Sequence, residues 1–249
     1  MIAVDQTRLT GRRALVTRAA RGIGAAIAVR LAAEGAHVTL VDRNGAEAQR
    51  IAITIGGTGL GLDLGDSLAV AEVLGDCEPF DIVVNNPGIA QHAFFTRTGP
   101  DDWRRLLAVN LESVLAVTLA TLPGMQERRF GRIINVASEA GRLGSRGGAV
   151  YAAAKGGVIA FTRSIARENG TLGITANAIA PGPVDTPLLR EAVAAGGDRL
   201  MAAMTGATLI GRIGTPEELA PAVAFLASPE AGFITGEALG VSGGMGCGA

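Results

Sequence analysis

Hydrophobic residues along the chain fall into short unbroken runs that are separated by longer amphipathic stretches. The runs are four to seven residues long, and most of them do not alternate apolar with polar positions. Unbroken apolar runs of this length are typical of strands in a parallel sheet that is covered on both faces. Seven runs are therefore predicted to form strands, at 13–17, 37–41, 59–62, 81–85, 132–138, 174–180 and 237–241.

The stretches between these strands carry apolar residues at the spacing of a helix. Regular alternation of strand and helix predicts an α/β protein, with a Rossmann-type, doubly wound parallel sheet of seven strands in a single domain over residues 1–249. Because the crossovers are right-handed, the loops after the strands meet at one edge, where such sheets bind ligands. The predicted helices lie at 22–34, 45–55, 66–74, 101–127, 151–169 and 216–227.

One connection is too long for an ordinary turn. The segment Gly182–Gly214 is rich in Gly, Ala and Met and lies between two predicted elements. Loops of that length in compact domains are usually lids or disordered segments. We therefore predict a mobile substrate flap over about 183–213.

Composition and charge exclude several classes of protein. The 249 residues are 48% hydrophobic with a net charge of −1, which suits one large core and offers no basic surface to nucleic acid. No apolar run approaches the roughly 18 residues of a membrane span, and the start of the sequence lacks a signal-peptide pattern. Two cysteines without a CxxC motif fit a reducing compartment. We expect a cytoplasmic protein with no membrane partner, no nucleic-acid partner and no metal.

A glycine-rich turn follows the first predicted strand. In the stretch TRAARGIG, residues 17–24, Gly22 and Gly24 would let the backbone approach a pyrophosphate closely. The helix that begins there offers unpaired N–H groups and the positive end of its dipole. Glycines before a helix are often only turns, but the position after the first of several parallel strands favours a dinucleotide site.

The second predicted strand ends at Asp42, 18 residues beyond Gly24. A carboxylate there accepts hydrogen bonds from the adenosine ribose hydroxyls and repels a 2′-phosphate, which favours NAD. As an alternative, Asp42 would cap the helix that begins near Asn44. Three arginines favour NADP instead, because each has the charge to neutralise a 2′-phosphate; they are Arg18, Arg21 and Arg43. We expect NAD, with NADP as the alternative.

Further motifs occur in a fixed order along nearly the whole chain. They are Asp63-Leu64, NNPG at 85–88, Asn110 in VNL, Ser138 in NVAS, Tyr151-x-x-x-Lys155 and PGPVDT at 181–186. Together with TRAARGIG, and at these spacings, they resemble the short-chain dehydrogenase/reductase family. The resemblance implies an oxidoreductase that interconverts a secondary alcohol and a ketone by hydride transfer to or from a nicotinamide cofactor.

The resemblance implies a catalytic relay of Asn110, Ser138, Tyr151 and Lys155. Tyr151 and Lys155 are four residues apart, so on a helix they lie on one face. Lys155 is the only lysine among 22 basic residues, and Tyr151 is the only tyrosine. A neighbouring ammonium is expected to lower the pKa of the phenol from its usual value near ~10, so that Tyr151 works as acid and base. Ser138 would hold the reacting oxygen.

The resemblance also assigns cofactor contacts. It implies that Lys155 holds the nicotinamide ribose, that Tyr151 also touches the cofactor, and that Asn110 anchors a water molecule linking the relay to solvent. Thr186 would alternatively be the N-cap of a helix through Leu188–Ala195. The remaining implied contacts, besides the three arginines and Asp42, are Gly22, Ile23, Gly24, Asp63, Leu64, Asn86, Gly88, Pro181, Gly182, Val184 and Thr186.

Two residues depart from the family pattern. Arg18 replaces the first glycine of the turn, so it is expected to weaken cofactor binding, to shift the turn or to reach a 2′-phosphate. Pro87 in NNPG replaces an alanine, which removes a backbone donor and stiffens the loop. Neither departure touches the four relay residues.

Several stretches resemble a narrower group in the family, the NAD-dependent dehydrogenases of alicyclic β-hydroxyacyl-CoA thioesters; they are 95–111, 122–138, 181–189 and 232–244. We expect a small apolar substrate, either such a thioester or a free secondary alcohol or ketone. An NADP-dependent 3-oxoacyl reductase and a catalytically silent dinucleotide-binding sensor are the alternatives. The resemblance also implies a homotetramer, with a homodimer as the alternative.

The walls of the substrate site are expected from 91–95, 139–148 and 183–210. Apolar side chains in these ranges predict an apolar pocket: Phe94, Leu143, Leu188, Leu189 and Met204. Four arginines are candidates to meet CoA phosphates, although scattered arginines usually belong to the solvated surface; they are Arg142, Arg146, Arg190 and Arg199.

Overall fold

Strands and helices alternate along the chain as the hydrophobic pattern predicts. The computed structural model describes residues 7–247. Residues 1–6 and 248–249 lie outside the described residues, and with them the start of the chain that we expected to lack a signal peptide. Within the described range one sheet contains β1 (Arg13–Thr17), β2 (His37–Asp42), β3 (Thr58–Gly61), β4 (Ile82–Asn85), β5 (Gly131–Val136), β6 (Ile174–Pro181) and β7 (Ala238–Val241).

The seven strands are parallel, and their order across the sheet is β3-β2-β1-β4-β5-β6-β7. This is the doubly wound arrangement that the sequence predicts, so the expected fold class is confirmed. β1 and β4 pair directly, with Leu15 opposite Val83, and the strand order runs outward in opposite directions from this pair. The loops after β1 and β4 therefore diverge and leave a crevice at the carboxyl edge of the sheet, where folds of this kind bind ligands.

Helices cover both faces of the sheet. They are α1 (Gly22–Ala33), α2 (Gly45–Thr54), α3 (Ser67–Gly75), α4 (Pro100–Leu107), α5 (Ser113–Arg128), α6 (Ala140–Leu143), α7 (Ala149–Asn169), α8 (Pro187–Gly206) and α9 (Pro216–Ala227). On one face α1 and α9 pack through Ile27 and Val223. On the other face α3 and α5 pack through Val70 and Val117. Both faces are thus buried, which explains why the strands lack alternation of apolar and polar residues.

The helix predicted at 101–127 is interrupted. A π-helical turn, Ala108–Glu112, joins α4 to α5, and such turns occur frequently at functional sites. The continuous stretch Pro100–Arg128 has the length and mean hydropathy (1.7) of a membrane span. A core helix of a globular protein has the same properties, and this one packs on the sheet through the buried side chains of Val117 and Met125.

The flap predicted as a long loop over 183–213 is mostly helical. α8 begins after Thr186, whose hydroxyl accepts a hydrogen bond from the Leu189 N–H at 3.2 Å. The expectation of a loop is wrong because an N-cap and the following Pro187 start a helix despite the glycine content. Gly197, with φ of 66°, interrupts the helical geometry and divides α8 into two pieces. The mobility of this segment stays a prediction.

Candidate functional site

A cleft of about 1320 Å³ opens at the carboxyl edge of the sheet, beside the point where β1 and β4 separate. It exceeds the roughly 300–1000 Å³ of sites for drug-sized ligands, so a dinucleotide and a second small molecule fit together. Two predicted site residues, Gly24 and Asn110, do not line this cleft. The others do: Arg18, Arg21, Gly22, Ile23, Asp42, Arg43, Asp63, Leu64, Asn86, Gly88, Ser138, Tyr151, Lys155, Pro181, Gly182, Val184 and Thr186.

The glycine turn between β1 and α1 borders the cleft. Gly22 adopts φ of 56°, a conformation that glycine takes without strain. A Cβ on Gly24 would lie 2.4 Å from the Arg18 carbonyl oxygen and 2.7 Å from the Asn86 amide nitrogen, so only glycine fits there. The first turn of α1 has no acidic residue and no side-chain cap from Arg21. Its first N–H groups are therefore available to an anion.

Arg18 adopts the conformation of a glycine. Its φ of 48° lies in the left-handed region, which costs a residue with a Cβ on the order of 1 kcal/mol. Its carbonyl oxygen accepts a hydrogen bond from the Asn86 side chain at 3.4 Å, so the turn stays in contact with the loop after β4. Its Nη1 lies 3.5 Å from the position that a Cβ on Gly88 would occupy. The side chain therefore extends to the loop after β4.

Asp42 ends β2 at the cleft. Its Oδ2 accepts a hydrogen bond from the Ala20 N–H at 3.1 Å, and its Oδ1 accepts one from the Asn44 N–H at 2.9 Å. The alternative in which Asp42 caps α2 is wrong, because Asn44 is the N-cap and its side chain accepts from the Glu47 N–H. Each carboxylate oxygen of Asp42 keeps a lone pair for another donor. Asp42 is thus free to accept hydrogen bonds from a ligand's hydroxyl groups.

Tyr151, Ser138 and Lys155 meet in the wall of the cleft. Tyr151 and Lys155 lie one turn apart on α7, and the Lys155 Nζ is 5.9 Å from the centre of the Tyr151 ring. Ser138 follows β5, and its hydroxyl is close enough to the phenol to lower the pKa of Tyr151, although burial outweighs this effect. The geometry brings three of the four predicted relay residues together at the surface of the cleft.

Lys155 is held by two carbonyl oxygens. Its side chain is 1% exposed, and Nζ donates to the Pro87 oxygen at 2.7 Å and to the Val136 oxygen at 2.8 Å. Burial, followed by the positive charge of Arg18, lowers the pKa of Lys155 to about 7. Without a bound ligand the ammonium is therefore only partly populated at neutral pH.

The expected net shift of the Tyr151 pKa is wrong in direction. Burial raises the pKa of the Tyr151 phenol, and the Ser138 hydroxyl only partly opposes this. We expected the lysine to lower this pKa, but its ammonium is directed at two backbone oxygens and is itself destabilised by burial. Tyr151 thus keeps its proton at neutral pH and starts as an acid.

Asn110 lies beneath the cleft rather than in its wall. It is in the π-helical turn and is 0% exposed. Its Oδ1 accepts from the Ile89 N–H at 3.2 Å, and its Nδ2 donates to the Ile89 and Leu106 carbonyl oxygens at 3.1 and 3.0 Å. These bonds fix the segment just after Gly88, so Asn110 positions that loop. Its implied contact with a water molecule stays a prediction.

Gln91 has a role that the sequence did not indicate. Its Oε1 accepts hydrogen bonds from the Val150 and Tyr151 N–H groups at 2.9 and 3.1 Å. These donors belong to the first turn of α7, which has no side-chain cap of its own from Gly148. Because Gln91 is about 60 residues away in the sequence, no local pattern reveals that it positions the catalytic helix.

Replacing Gln91 by leucine should lower kcat by about tenfold, because a small displacement of Tyr151 misplaces its proton. Losing the acceptor should also lower the free energy of unfolding by about 1 kcal/mol. Gln91→Glu retains an acceptor oxygen and should restore most of the activity. The measurements are kcat and cofactor affinity for both variants. Equal losses of kcat in Gln91→Leu and Gln91→Glu would contradict the positioning role.

The predicted cofactor contacts after β3 and β6 lie in segments whose shape is fixed by local hydrogen bonds and close packing. Asp63 Oδ1 accepts from the Gly65 N–H at 2.9 Å, which shapes the turn that presents Leu64. Gly182 lies against the segment after β7, where an added Cβ would be 2.8 Å from the Ser242 carbonyl oxygen. Thr186 acts as the N-cap of α8, as the alternative for this residue predicted.

Apolar side chains form the part of the cleft beyond the relay. Phe94, Leu188, Leu189 and Met204 line it as expected, whereas Leu143 does not.

The four candidate arginines divide into two pairs. Arg142 and Arg190 are engaged in ion pairs with Glu139 and Asp185. Arg146 and Arg199 line the cleft and form no ion pair within residues 7–247.

The C-terminal segment also reaches the cleft, which the sequence analysis missed. Met245 lines the cleft. A Cβ on Gly246 would come within 2.5 Å of the Glu139 carboxylate, and Glu139 is 1% exposed. The segment after β7 therefore packs beside the strand end that carries Ser138.

Known proteins match this chain over nearly its whole length. The profile of a family described as Enoyl-(Acyl carrier protein) reductase matches residues 19–246. The 3-oxoacyl-(acyl-carrier-protein) reductase FabG of Vibrio harveyi is 43% identical over 243 residues, which are 95% of this chain and 98% of that protein. The short-chain reductase protein NovJ of Streptomyces niveus is 44% identical over 255 positions, covering 98% of this chain and 95% of that protein.

Solved structures share the fold. A short chain dehydrogenase/reductase family protein, 35% identical, superposes with a TM-score of 0.88 and covers 95% of this chain and 98% of its own. A protein described as an NAD(P) dependent gluconate 5-dehydrogenase from Beutenbergia cavernae, with bound NADP at low occupancy, is 34% identical. It has a TM-score of 0.92 and covers 97% of this chain and 99% of its own. The family match over residues 19–246 spans the four predicted relay residues.

Proposed function

The chain belongs to the short-chain dehydrogenase/reductase family, and on this basis we propose which reaction it catalyses. It is an oxidoreductase that acts on a CH–OH group with a nicotinamide cofactor and interconverts a secondary alcohol and a ketone. We propose that it reduces β-ketoacyl thioesters with NADH. The observation that carries this proposal is the meeting of Tyr151, Ser138 and Lys155 in the wall of a cleft bordered by a glycine turn. A complete relay also makes a catalytically silent sensor the poorer alternative.

Tyr151 transfers the proton. The Ser138 hydroxyl holds the substrate oxygen within reach of the phenol, which gives that oxygen its proton in reduction and recovers it in oxidation. Because burial raises its pKa, the phenol is protonated at neutral pH and is prepared for reduction. The Lys155 ammonium, 5.9 Å from the ring centre, stabilises the phenolate that remains.

The residues around the cleft fit a dinucleotide. The turn at Gly22 and Gly24 leaves space that a side chain would fill, and the start of α1 offers N–H groups to a diphosphate. Asp42 would hold the adenosine ribose, and Lys155 the nicotinamide ribose. When bound, the nicotinamide supplies or accepts the hydride.

Asp42 favours NAD over NADP. Its carboxylate lines the cleft, where it would accept hydrogen bonds from ribose hydroxyls and would repel a 2′-phosphate. NADP is the second candidate, because Arg21 and Arg43 line the same end of the cleft and the Beutenbergia cavernae relative holds NADP. We propose NAD because a carboxylate at the end of β2 would lie next to the ribose hydroxyls.

The dissociation constants of NADH and NADPH test this choice. We expect the wild type to bind NADH at least about tenfold more tightly, a difference of about 1.4 kcal/mol. Asp42→Asn keeps two polar atoms but removes the charge, so the preference should shrink at least about tenfold. Fluorescence titration of both proteins with both cofactors checks the prediction. Tighter binding of NADPH by the wild type would establish the NADP alternative.

We propose a ketone carried on a thioester as the substrate. The FabG relatives are named for 3-oxoacyl groups on acyl carrier protein. In this chain Phe94, Leu188 and Met204 would hold the acyl part, alicyclic or linear. Arg146 and Arg199, which form no ion pair within residues 7–247, would meet a phosphate of CoA or of a carrier's phosphopantetheine.

We also propose a cytoplasmic homotetramer. Leu115 and Leu119 on α5 are apolar yet 38% and 76% exposed, which suits a helix that packs against another subunit. Cys77 and Cys247 are free thiols, which fits a reducing compartment. Light scattering on the purified protein should give the mass of four chains, and a monomer would contradict the assembly.

A further inference from the structure

A positive charge lies in the cleft without a partner. Arg18 is half-buried in the cleft wall, and within residues 7–247 its guanidinium forms neither a hydrogen bond nor an ion pair. Burial lowers the pKa of Arg18, which shows that its charge is poorly solvated. By contrast, Arg21 in the same turn is more exposed and reaches Glu191 at 3.9 Å. The carboxylates of Asp42 and Glu191 act on Arg18 only through space. A half-buried cation without a direct ion pair is costly, so the position suits a ligand that brings the opposite charge.

Arg18 and Lys155 converge on one peptide. The Nη1 of Arg18 lies beside Gly88, and Nζ of Lys155 donates to the carbonyl oxygen of the preceding residue, Pro87. Two cations thus lie beside the same peptide of the loop after β4. Lys155 is the more deeply buried of the two. The repulsion from Arg18 adds to the effect of burial in lowering the pKa of Lys155.

Among the described residues, no other charged group near Lys155 lowers its pKa. On the segment that packs against it, Glu139 and Arg142 form an ion pair with each other. Tyr151, on the same helix, is neutral because burial raises its pKa. At the far end of the cleft, Asp42, Arg21 and Arg43 act on Arg18 rather than on Lys155.

We propose that Arg18 binds the diphosphate of the dinucleotide and that this contact increases the fraction of Lys155 that carries a positive charge. The proposal rests on the proposed function in that a dinucleotide is the cofactor. Arg18 belongs to the turn that presents the start of α1, and its planar fork matches phosphate oxygens. Once an anion neutralises Arg18, the repulsion between the two cations is removed, and only burial still opposes the ammonium. The enzyme therefore charges its relay when the cofactor binds, and it does so through a residue that replaces a glycine of the family's turn.

The sole lysine makes the coupling measurable. Because Lys155 is the only lysine, protein containing lysine labelled with ¹³C at the ε carbon gives a single resonance, which reports the charge of the amine. In the free wild type this resonance should titrate near pH 7. Arg18→Gln should move the midpoint upward by on the order of one pH unit.

Two control variants isolate the charge of Arg18. Arg18→Lys keeps a cation and the same left-handed backbone, so the midpoint of Lys155 should stay near that of the wild type once the second lysine resonance is assigned. Arg21→Gln removes a charge from the same turn, but Arg21 is directed at Glu191, so it should leave the midpoint unchanged. Thermal unfolding checks that each variant is folded.

ADP tests the ligand half of the proposal, because it carries a diphosphate without the nicotinamide ribose. Saturating ADP should raise the Lys155 midpoint in the wild type and have much less effect in Arg18→Gln, whereas adenosine should have no effect in either. Calorimetry should show that Arg18→Gln weakens ADP binding by about tenfold.

The outcomes separate the two proposals. Equal Lys155 midpoints in the wild type and Arg18→Gln would overturn the coupling. Tighter binding of ADP and NADH by Arg18→Gly than by the wild type would overturn the diphosphate contact and show that the arginine obstructs the turn. Either result leaves the proposed function intact if NADH still binds. A wild type that binds neither NADH, NADPH nor ADP would overturn both proposals.

Discussion

Replacing Tyr151 by phenylalanine should lower kcat by about 10²–10⁴-fold, the usual contribution of a positioned acid or base. The cofactor's dissociation constant should change by less than about threefold, because the contacts proposed for the dinucleotide lie mainly at the glycine turn, Asp42 and Lys155. The loss follows from geometry: within the described cleft, Tyr151 is the protonated phenol, and it lies in the same wall as Ser138 and Lys155.

Rapid mixing of substrate with enzyme and NADH measures this loss in a single turnover, and fluorescence titration gives the cofactor affinity. The phenylalanine keeps the ring and loses only the hydroxyl, so the fold should be unaffected. Ser138→Ala provides the comparison: it should reduce kcat by a smaller factor, because it removes the group that orients the oxygen and leaves the acid in place. Retention of more than about a tenth of kcat in Tyr151→Phe would remove Tyr151 as the acid.

Replacing Lys155 by methionine should reduce kcat by about 10²-fold or more, because the phenolate left by proton transfer loses its cation. Lys155→Arg should not restore the activity. The two carbonyl oxygens of Pro87 and Val136 hold Nζ at 2.7 and 2.8 Å in a site that is 1% exposed, and a planar guanidinium does not fit that geometry. Activity of Lys155→Arg close to that of the wild type would contradict this assignment.

The pH dependence of stability provides a second measurement on Lys155. Its pKa is about 7 in the folded chain and 10.5 ordinarily. Between these values the unfolded chain holds a proton that the folded chain has released, so raising the pH favours folding. The free energy of unfolding of the wild type, relative to Lys155→Met, should therefore rise by up to about 1.4 kcal/mol per pH unit in that window. Urea unfolding at several pH values checks it, and a difference that falls with pH would contradict the depressed pKa.

The sequence alone predicted those parts of the fold and site that depend on the spacing of residues along the chain. Tyr151 and Lys155 are one helical turn apart wherever the segment is helical, so their approach needed no tertiary information. The unbroken apolar runs predicted a covered parallel sheet, and the sheet in turn placed Ser138 and the glycine turn at one edge. For the same reason Asp42 could be expected at the cleft from its place at the end of β2.

The features that the sequence did not predict depend on contacts between residues that are far apart in the sequence. The direction of the pKa shift of Tyr151 follows from burial, which a helical spacing does not contain. The direction of the Arg18 side chain depends on Gly88, 70 residues later in the sequence. The start of α7 is held by Gln91 across a similar separation. The start of α8 was offered only as an alternative, in which Thr186 caps a helix through Leu188–Ala195, and the glycines concealed its full length.

The absorbance of the reduced nicotinamide, followed while the wild type acts on a 3-oxoacyl-CoA thioester, tests most directly whether this cleft reduces ketones. We predict that NADH is oxidised in an amount equal to the β-hydroxyacyl product found by mass spectrometry. Absence of oxidation with both NADH and NADPH, for 3-oxoacyl thioesters and cyclic ketones alike, would contradict the account if the cofactors still bind.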